Sequence, residues 1–238
     1  MDKFVRLTAT ACPLSLPNLN TDQILPARYL KWPRSKGLGT VLFDDVRLDA
    51  KGQPRDDFAF NKDAYRGAKV LLAGRNFGGG SSREAAVYAL YDHGFRCVVA
   101  PSFGDIFSQN AVKNGLLTAV AEEADIEMLA ALVREKPSQP VTVDLERQTV
   151  SGNGVSFAFM IDAISRNQLL NGWDDVDMTD SYAARIAAFK ATDRERRLPP
   201  LRREAADALE QVLLLGEGAG AHRAACSRLD RDLPGLRS

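Results

Sequence analysis

Lys69-Val-Leu-Leu-Ala-Gly-Arg-Asn-Phe-Gly-Gly-Gly-Ser-Ser-Arg-Glu84 passes from an apolar run through a glycine-rich turn into a helical pattern. The run from Lys69 to Ala73 has the length and glycine flanks of a buried strand. Ala85 to Asp92 follows with helical spacing that stops at Gly94, and Arg96-Cys-Val-Val-Ala-Pro101 reads as the next strand. Strand, turn, helix and strand in this compass make a βαβ unit, which predicts parallel strands joined by a right-handed crossover. The turn then falls at the carboxyl end of a strand, the edge where open α/β sheets bind ligands.

The residues of the turn suit an anion. Gly78, Gly79 and Gly80 permit positive φ and close backbone approach, and they precede a helix N-terminus with its partial positive charge. Ser81 and Ser82 add hydroxyls, and Arg83 adds a planar fork that can donate two parallel hydrogen bonds to a carboxylate. A structural reading competes, because Ser81 and Glu84 fit the S-x-x-E capping box. The nucleotide fingerprints are missing: no Lys-Ser/Thr follows the last glycine, and Gly74, Gly78, Gly79 and Gly80 do not make G-x-G-x-x-G.

Outward from this unit, Phe4 to Leu7 reads as a short strand, Pro13 to Pro17 as a loop, and Asn20, Thr21 and Asp22 as an Asx or ST turn. Pro33 to Gly39 reads as an exposed loop, and Asp49 to Gly67 as connections with a short helix near Asn61 to Tyr65. Downstream the pattern predicts a helix over Phe103 to Asn114, a strand over Leu116 to Val120 and an amphipathic helix over Asp125 to Glu135. Val141 to Leu145 and the period-two Val155, Phe157 and Phe159, with a Gly152-Asn-Gly154 turn, predict antiparallel strands. Helices over Asp162 to Leu170 and Asp180 to Thr192 follow. From Asp193 the composition turns Arg- and Pro-rich, with a short Leu-rich helix around Glu204 to Leu215. The chain therefore divides into a domain over residues 1–192 and a basic appendage over 193–238, read as a solvated tail.

The bulk numbers describe a soluble globular chain of 238 residues, 45% hydrophobic and 26% charged. Its 31 Lys and Arg against 31 Asp and Glu leave no global field for nucleic acid or an anionic membrane. Cys12, Cys97 and Cys226 are too scattered to hold a metal or an iron–sulfur cluster, and so sparse an odd count fits a reducing compartment. With no apolar leader or spanning stretch, the expected location is the cytoplasm. The two histidines give little support to Ser-His-Asp chemistry; His93, at a predicted helix end, reads as a cation favouring the dipole.

Three segments carry a resemblance: Asn20-Thr-Asp-Gln-Ile-Leu-Pro-Ala-Arg28, Gly74-Arg-Asn-Phe-Gly-Gly-Gly-Ser-Ser-Arg-Glu84, and Ala100-Pro-Ser-Phe-Gly-Asp-Ile-Phe107 with Lys113-Asn-Gly-Leu116. In order and separation they are similar to the small subunits of 3-isopropylmalate dehydratases, swivelling domains of the aconitase superfamily. The resemblance spans Phe4 to Lys190. It implies an α/β swivelling β/β/α domain with a mixed, partly parallel sheet flanked by helices. It also implies a hydro-lyase that interconverts 2-isopropylmalate and 3-isopropylmalate in leucine biosynthesis, active only as a heterodimer. The large subunit would hold a [4Fe-4S] cluster, with no cofactor or metal on this chain.

Residue by residue, the resemblance makes Ser81 the base that takes a carbon-bound proton, which requires its side chain to face the cleft instead of capping a helix. Ser82 and Arg83 bind a carboxylate of the hydroxy-dicarboxylate substrate, with Gly79, Gly80, Thr21 and Asp22 completing the site. Tyr29, Leu30, Lys31 and Trp32 either line the side-chain pocket or serve core and loop. The sequence departs from the family at Gly79, where Cys is common, at Ala85, where His or Gln is common, and at Asn20, where Asp is frequent. These departures leave a citramalate, dimethylmalate or other substituted-malate hydro-lyase as alternatives, beside a non-catalytic partner-binding subunit.

Overall fold

The computed structural model describes residues 1–80 and 82–197, which divide into two units between Met178 and Thr179. The first unit holds β1 (Arg6–Ala9), β2 (Ala11–Leu14), the one-turn helices α1 (Thr21–Ile24) and α2 (Asp44–Arg47), β3 (Val70–Ala73), α3 (Glu84–His93) and β4 (Cys97–Ala100). It continues through α4 (Asp105–Lys113), β5 (Leu117–Val120), α5 (Glu123–Glu135), β6 (Val141–Asp144), β7 (Thr149–Gly152), β8 (Val155–Ala158) and α6 (Ala163–Asn171). Helix α7 (Asp175–Asp180) crosses the division. Beyond it, α8 (Ala183–Arg197) has an exposed surface over residues 183–192.

The parallel and antiparallel strands sort into two four-stranded sheets. One, in the order β2-β3-β4-β5, is parallel throughout, and the other, β1-β6-β7-β8, is antiparallel. Burial follows the same distinction. Every residue of β3 and β4 is buried, as expected of parallel strands covered on both faces, whereas β6 alternates buried and half-buried positions. Helix α5 packs on β2, β3 and β4 through Ile126, Leu129, Ala130 and Val133, spaced at three and four residues along one face. Val70, Leu71 and Leu72 are fully buried, and each contributes about 1.5–3 kcal/mol by leaving water.

The βαβ unit is present, with Val70 beside Cys97 and Leu72 beside Val99 in parallel register. Several boundaries differ from the sequence pattern. Pro13 lies inside β2 instead of opening a loop, because β2 is an edge strand, where a residue without an N–H is tolerated. The first strand starts at Arg6 and joins β6, a long-range pairing that local alternation does not reveal. Thr149–Gly152 forms a strand between β6 and β8, and Asn153 and Gly154, with φ of 54° and 87°, make the turn into β8. The helix expected over Asp180 to Thr192 starts three residues later, as α8 at Ala183, and continues past Asp193, with α7 ending at Asp180 before it. The Leu-rich segment around Glu204 to Leu215 lies outside the described residues.

The expected loop at Pro33 to Gly39 becomes buried at Leu38 and Gly39, because the end of α3 packs against it. A Cβ on Gly39 would stand 2.4 Å from the backbone nitrogen of His93, so only glycine permits this approach. Arg34 clasps Asp92 through Nε and Nη2, and His93 Nδ1 lies 3.0 Å from the Gly39 carbonyl oxygen. The His93 ring stands against Phe60 and Phe95, with centroids 4.6 and 5.5 Å away. Desolvation there lowers its pKa, so His93 is neutral at pH 7 and does not act as the dipole-favouring cation the sequence suggested.

A depressed native pKa means that the unfolded chain binds the His93 proton more readily. Its contribution is complete above the ordinary histidine value and is lost as pH falls through the native one. The stability of the wild type against denaturant is therefore expected to fall as pH drops below the ordinary histidine value of about 6.5. His93→Asn should flatten that slope, and identical slopes would refute the assignment.

Candidate active site

The glycine turn is held from both sides at the carboxyl edge of the parallel sheet. Phe77 N–H donates to the Ser102 carbonyl at 3.0 Å, and Gly104 N–H returns a bond to the Phe77 carbonyl at 2.9 Å. On the other side, Gly78 N–H donates to Leu19 O at 2.7 Å and Thr21 N–H to Gly79 O at 3.0 Å. The isolated bridges Asn20–Gly79 and Phe77–Phe103 thus carry the parallel pairing of β2, β3 and β4 beyond the strands themselves. Phe77 is fully buried and meets Phe103 and Phe107 edge-on, with centroids 6.3 and 5.4 Å away.

Positive φ at alternate residues, Asn76 at 55°, Gly78 at 71° and Gly80 at 95°, bends the chain between these anchors. Gly78 needs to be glycine twice over, since a Cβ would also fall 2.2 Å from the Phe107 ring. Gly104 has the matching constraint, with a Cβ position 2.6 Å from the Gly78 carbonyl oxygen. The Ala100–Phe107 motif is therefore one wall of the turn. Ser102 Oγ accepts from Asn76 N–H at 2.8 Å, while the Asn76 amide donates to Asn18 Oδ1 at 3.0 Å.

Asn20 is the N-cap of α1. Its Oδ1 accepts from Gln23 N–H at 2.9 Å, and Gln23 Oε1 accepts from Asn20 N–H at 3.0 Å, a complete capping box. Thr21 is buried beneath the turn, its Oγ1 lying 4.0 Å from where a Cβ of Gly80 would stand. Asp22 projects outward instead and pairs with Arg83 Nη1. Arg83, only 22% exposed, is thus already engaged with a carboxylate that is itself 52% exposed. Ser82 and Gly80 are exposed beside it, and Gly79 is buried. The structure brings Gly79, Gly80, Ser82, Arg83, Thr21 and Asp22 to one edge. Ser81, and with it the direction of its side chain, lies outside the described residues.

The helix begins at Glu84 with Arg83 at the N-cap, and the Ser81 half of the expected capping box lies outside the described residues. Glu84 accepts from Asn114 Nδ2 at 2.8 Å. Sequence reasoning missed Asn76, Ser102 and Asn114; the one local signal was asparagine in a glycine-rich turn, a residue that tolerates positive φ. Gly79 does not open a void relative to a larger residue. Its missing Cβ would lie 2.9 Å from Asn76 Oδ1, so the Asn76 amide fills that space. Ala85 packs half-buried against the core.

Around the mouth, Tyr29 donates its hydroxyl to the buried Asp44 at 2.7 Å, and Arg47 braces the same carboxylate at 2.5 Å. Burial, with the Asp44 bond, raises the Tyr29 pKa. Trp32 sits edge-on to Tyr29 at 4.8 Å, and Lys36 lies over the Trp32 ring at 3.7 Å. Leu30 and Lys31 are exposed. This segment is anchored by its aromatic residues and open through Leu30 and Lys31.

Cys12 and Cys97 are buried, and desolvation raises the Cys12 thiol to about 12 and moves Cys97 the same way. Neither presents a thiolate for a cluster. Among the described residues, no three His, Cys, Asp or Glu side chains are grouped to hold a metal ion, and no helix is long and apolar enough to cross a membrane.

Residues 1–124 match the family model described as the aconitase C-terminal domain, and residues 127–163 match one described as LeuD_N. The chain is 47% identical over 195 residues to the 3-isopropylmalate dehydratase small subunit of Rhodospirillum centenum, covering 82% of this chain and 96% of that one. It is 48% identical over 198 residues to the protein of the same name from Rhizobium meliloti, covering 82% and 98%. A crystal structure of 3-isopropylmalate dehydratase from Methanocaldococcus jannaschii superposes with a TM-score of 0.55 at 23% identity, covering 79% of this chain and 99% of that one, a likeness of fold.

The Arg83–Asp22 pair is half open to water, so solvent screening makes its contribution small. Asp22→Asn should lower unfolding stability by less than about 1 kcal/mol. A loss of several times that, read by urea denaturation, would mean that the pair is structural.

Proposed function

The chain belongs to the 3-isopropylmalate dehydratase small-subunit family, within the aconitase C-terminal-domain family, and on that footing we propose that it is the small subunit of a cytoplasmic 3-isopropylmalate dehydratase. It acts with a large subunit to interconvert 2-isopropylmalate and 3-isopropylmalate through 2-isopropylmaleate in leucine biosynthesis. Residues 1–192 form the working domain and 193–238 an appendage. The observation that carries this reading is the Arg83 guanidinium, held at the rim of a clamped glycine turn and bonded to a carboxylate.

In the complex, a substrate carboxylate takes the place beside Arg83 that the Asp22 carboxylate holds here, with Ser82 as a second donor. A fork that donates two parallel bonds sets the orientation of the substrate as well as its affinity. Ser81, as its alkoxide, takes the carbon-bound proton, the C–H electron pair becomes the double bond, and the hydroxyl departs with the C–O pair as hydroxide, the proton and hydroxide together making up the water lost. Rehydration with the two positions exchanged gives the isomer. A serine is a base only as its alkoxide, and the helix N-terminus and the glycine-rich backbone favour that charged form before the proton is taken. The [4Fe-4S] cluster is assigned to the large subunit, consistent with the burial of the two described thiols, Cys12 and Cys97.

Anaerobic reconstitution with the large subunit, monitored by formation of the unsaturated acid from a panel of substituted malates, tests the reading. Turnover of isopropylmalate is expected, and turnover of citramalate alone would overturn the substrate. Ser81→Ala should lower kcat by about a hundredfold or more. Arg83→Ala should raise KM by about tenfold or more, and Arg83→Lys should recover only part of it because the fork is lost.

A further inference from the structure

Glu84 follows Arg83 directly, yet its carboxylate is drawn away from its own helix end. Asn114 Nδ2 donates to Glu84 Oε1 at 2.8 Å and to the Asn110 carbonyl at 2.9 Å. The Tyr88 hydroxyl, one turn along α3, and the Lys113 ammonium, which bridges Asp175 at 2.8 Å, both lie near enough to the same carboxylate to interact with it electrostatically. Asn114 is itself a fixed point. It closes α4, its N–H bonded to the carbonyls of Asn110 and Ala111, and Gly115 at φ 77° then redirects the chain so that Leu116 enters the core.

Arg83 by contrast is held at its tip only by the half-exposed Asp22, a screened pair, so the approach of its side chain is set by the backbone that carries it. Its backbone is extended, at φ −93° and ψ 97°, and its own side chain does not cap the helix there. Its direction therefore depends on the points that hold the chain on either side. Upstream is the clamp on Phe77, Gly78 and Gly79; downstream is the tether of Glu84 to the end of α4.

We propose that Asn114 is a positioning residue for the carboxylate-binding turn: by holding Glu84 it fixes the first turn of α3 and hence the direction in which Arg83 presents its guanidinium. The inference rests on Arg83 as the substrate's carboxylate ligand. It gives the Lys113-Asn-Gly-Leu116 motif a role that neither packing nor the chemistry of the turn had supplied. A displacement of about an ångström in such a group is enough to cost a large factor in substrate use.

The test is a donor–acceptor reversal in the reconstituted heterodimer. Asn114→Asp removes the amide donor at constant size and sets a second carboxylate against Glu84. It is expected to raise KM for 3-isopropylmalate about tenfold, with a smaller change in kcat. Adding Glu84→Gln supplies an amide facing the introduced carboxylate and should restore KM to within about twofold of wild type. Hydrogen exchange of the amides of residues 84–87 should quicken in the single variant and slow again in the double. A tether that serves stability alone would lower Tm and leave KM unmoved, and that result, or a double variant no better than the single, overturns the proposal. If Asn114→Asp does not fold, Asn114→Ala, which leaves Glu84 alone, carries the same KM and exchange readouts. A wild-type complex that turns over none of the substituted malates would reject the isopropylmalate reading, an outcome distinct from an active wild type with an unaffected variant.

Discussion

Residues 77 to 79 contribute main-chain donors and acceptors to the loops after β2 and β4 at once, and the arrangement of the candidate site depends on that double clamp. A glycine-rich segment alone would sample many conformations, with a large entropic cost to order it. Here the cost is offset by four backbone hydrogen bonds and by the burial of Phe77 between Phe103 and Phe107. The glycines are needed where backbones or rings come too near for a Cβ, at Gly78 and Gly104, and the flexibility they would confer in isolation is absent from the assembled edge. A rigid turn is what a carboxylate site requires, because orientation is lost if the donors must first be ordered.

The polar groups around this edge fall into two sets with different physical roles. Asn20, Asn76 and Ser102 spend their hydrogen-bonding capacity on the backbone and hold the turn's shape. Ser82 is exposed and Arg83 half-buried beside it, and the anion against Arg83 is Asp22, a half-exposed partner in a screened pair. A guanidinium kept in a weak pair is poised for a competing carboxylate, since exchanging one carboxylate for another preserves the hydrogen bonds and requires no bare charge at any stage. Gly79, the departure that clouded the choice of substrate, changes this surface little because the Asn76 amide fills the adjoining space.

The same edge suits the proposed reading of an active site shared between two chains. The two described cysteines are buried with raised thiol pKa values, so among the described residues this edge offers hydrogen-bond donors and a guanidinium rather than soft ligands. A partner holding the cluster complements that set, and family membership agrees with such a division of labour. The α3–α4 tether links the motifs further, since the Lys113-Asn-Gly segment reaches the helix that starts at the glycine turn.

The sequence by itself determined the βαβ unit, the position of the glycine turn at the carboxyl edge, the antiparallel hairpin region and the family. Each of these rests on local periodicity or on a contiguous motif, which requires no knowledge of distant partners. It did not determine that Pro13 lies in an edge strand, that β1 joins β6, or that parallel and antiparallel strands separate into two sheets, because pairing between remote segments leaves no local signature. Only the tertiary structure decided that Asp22 meets Arg83 across sixty-one positions, and that Glu84 turns to Asn114 across thirty. A capping box and a tether begin with the same glutamate in sequence. Which one forms depends on where the helix starts and on what the neighbouring helix brings within hydrogen-bonding distance.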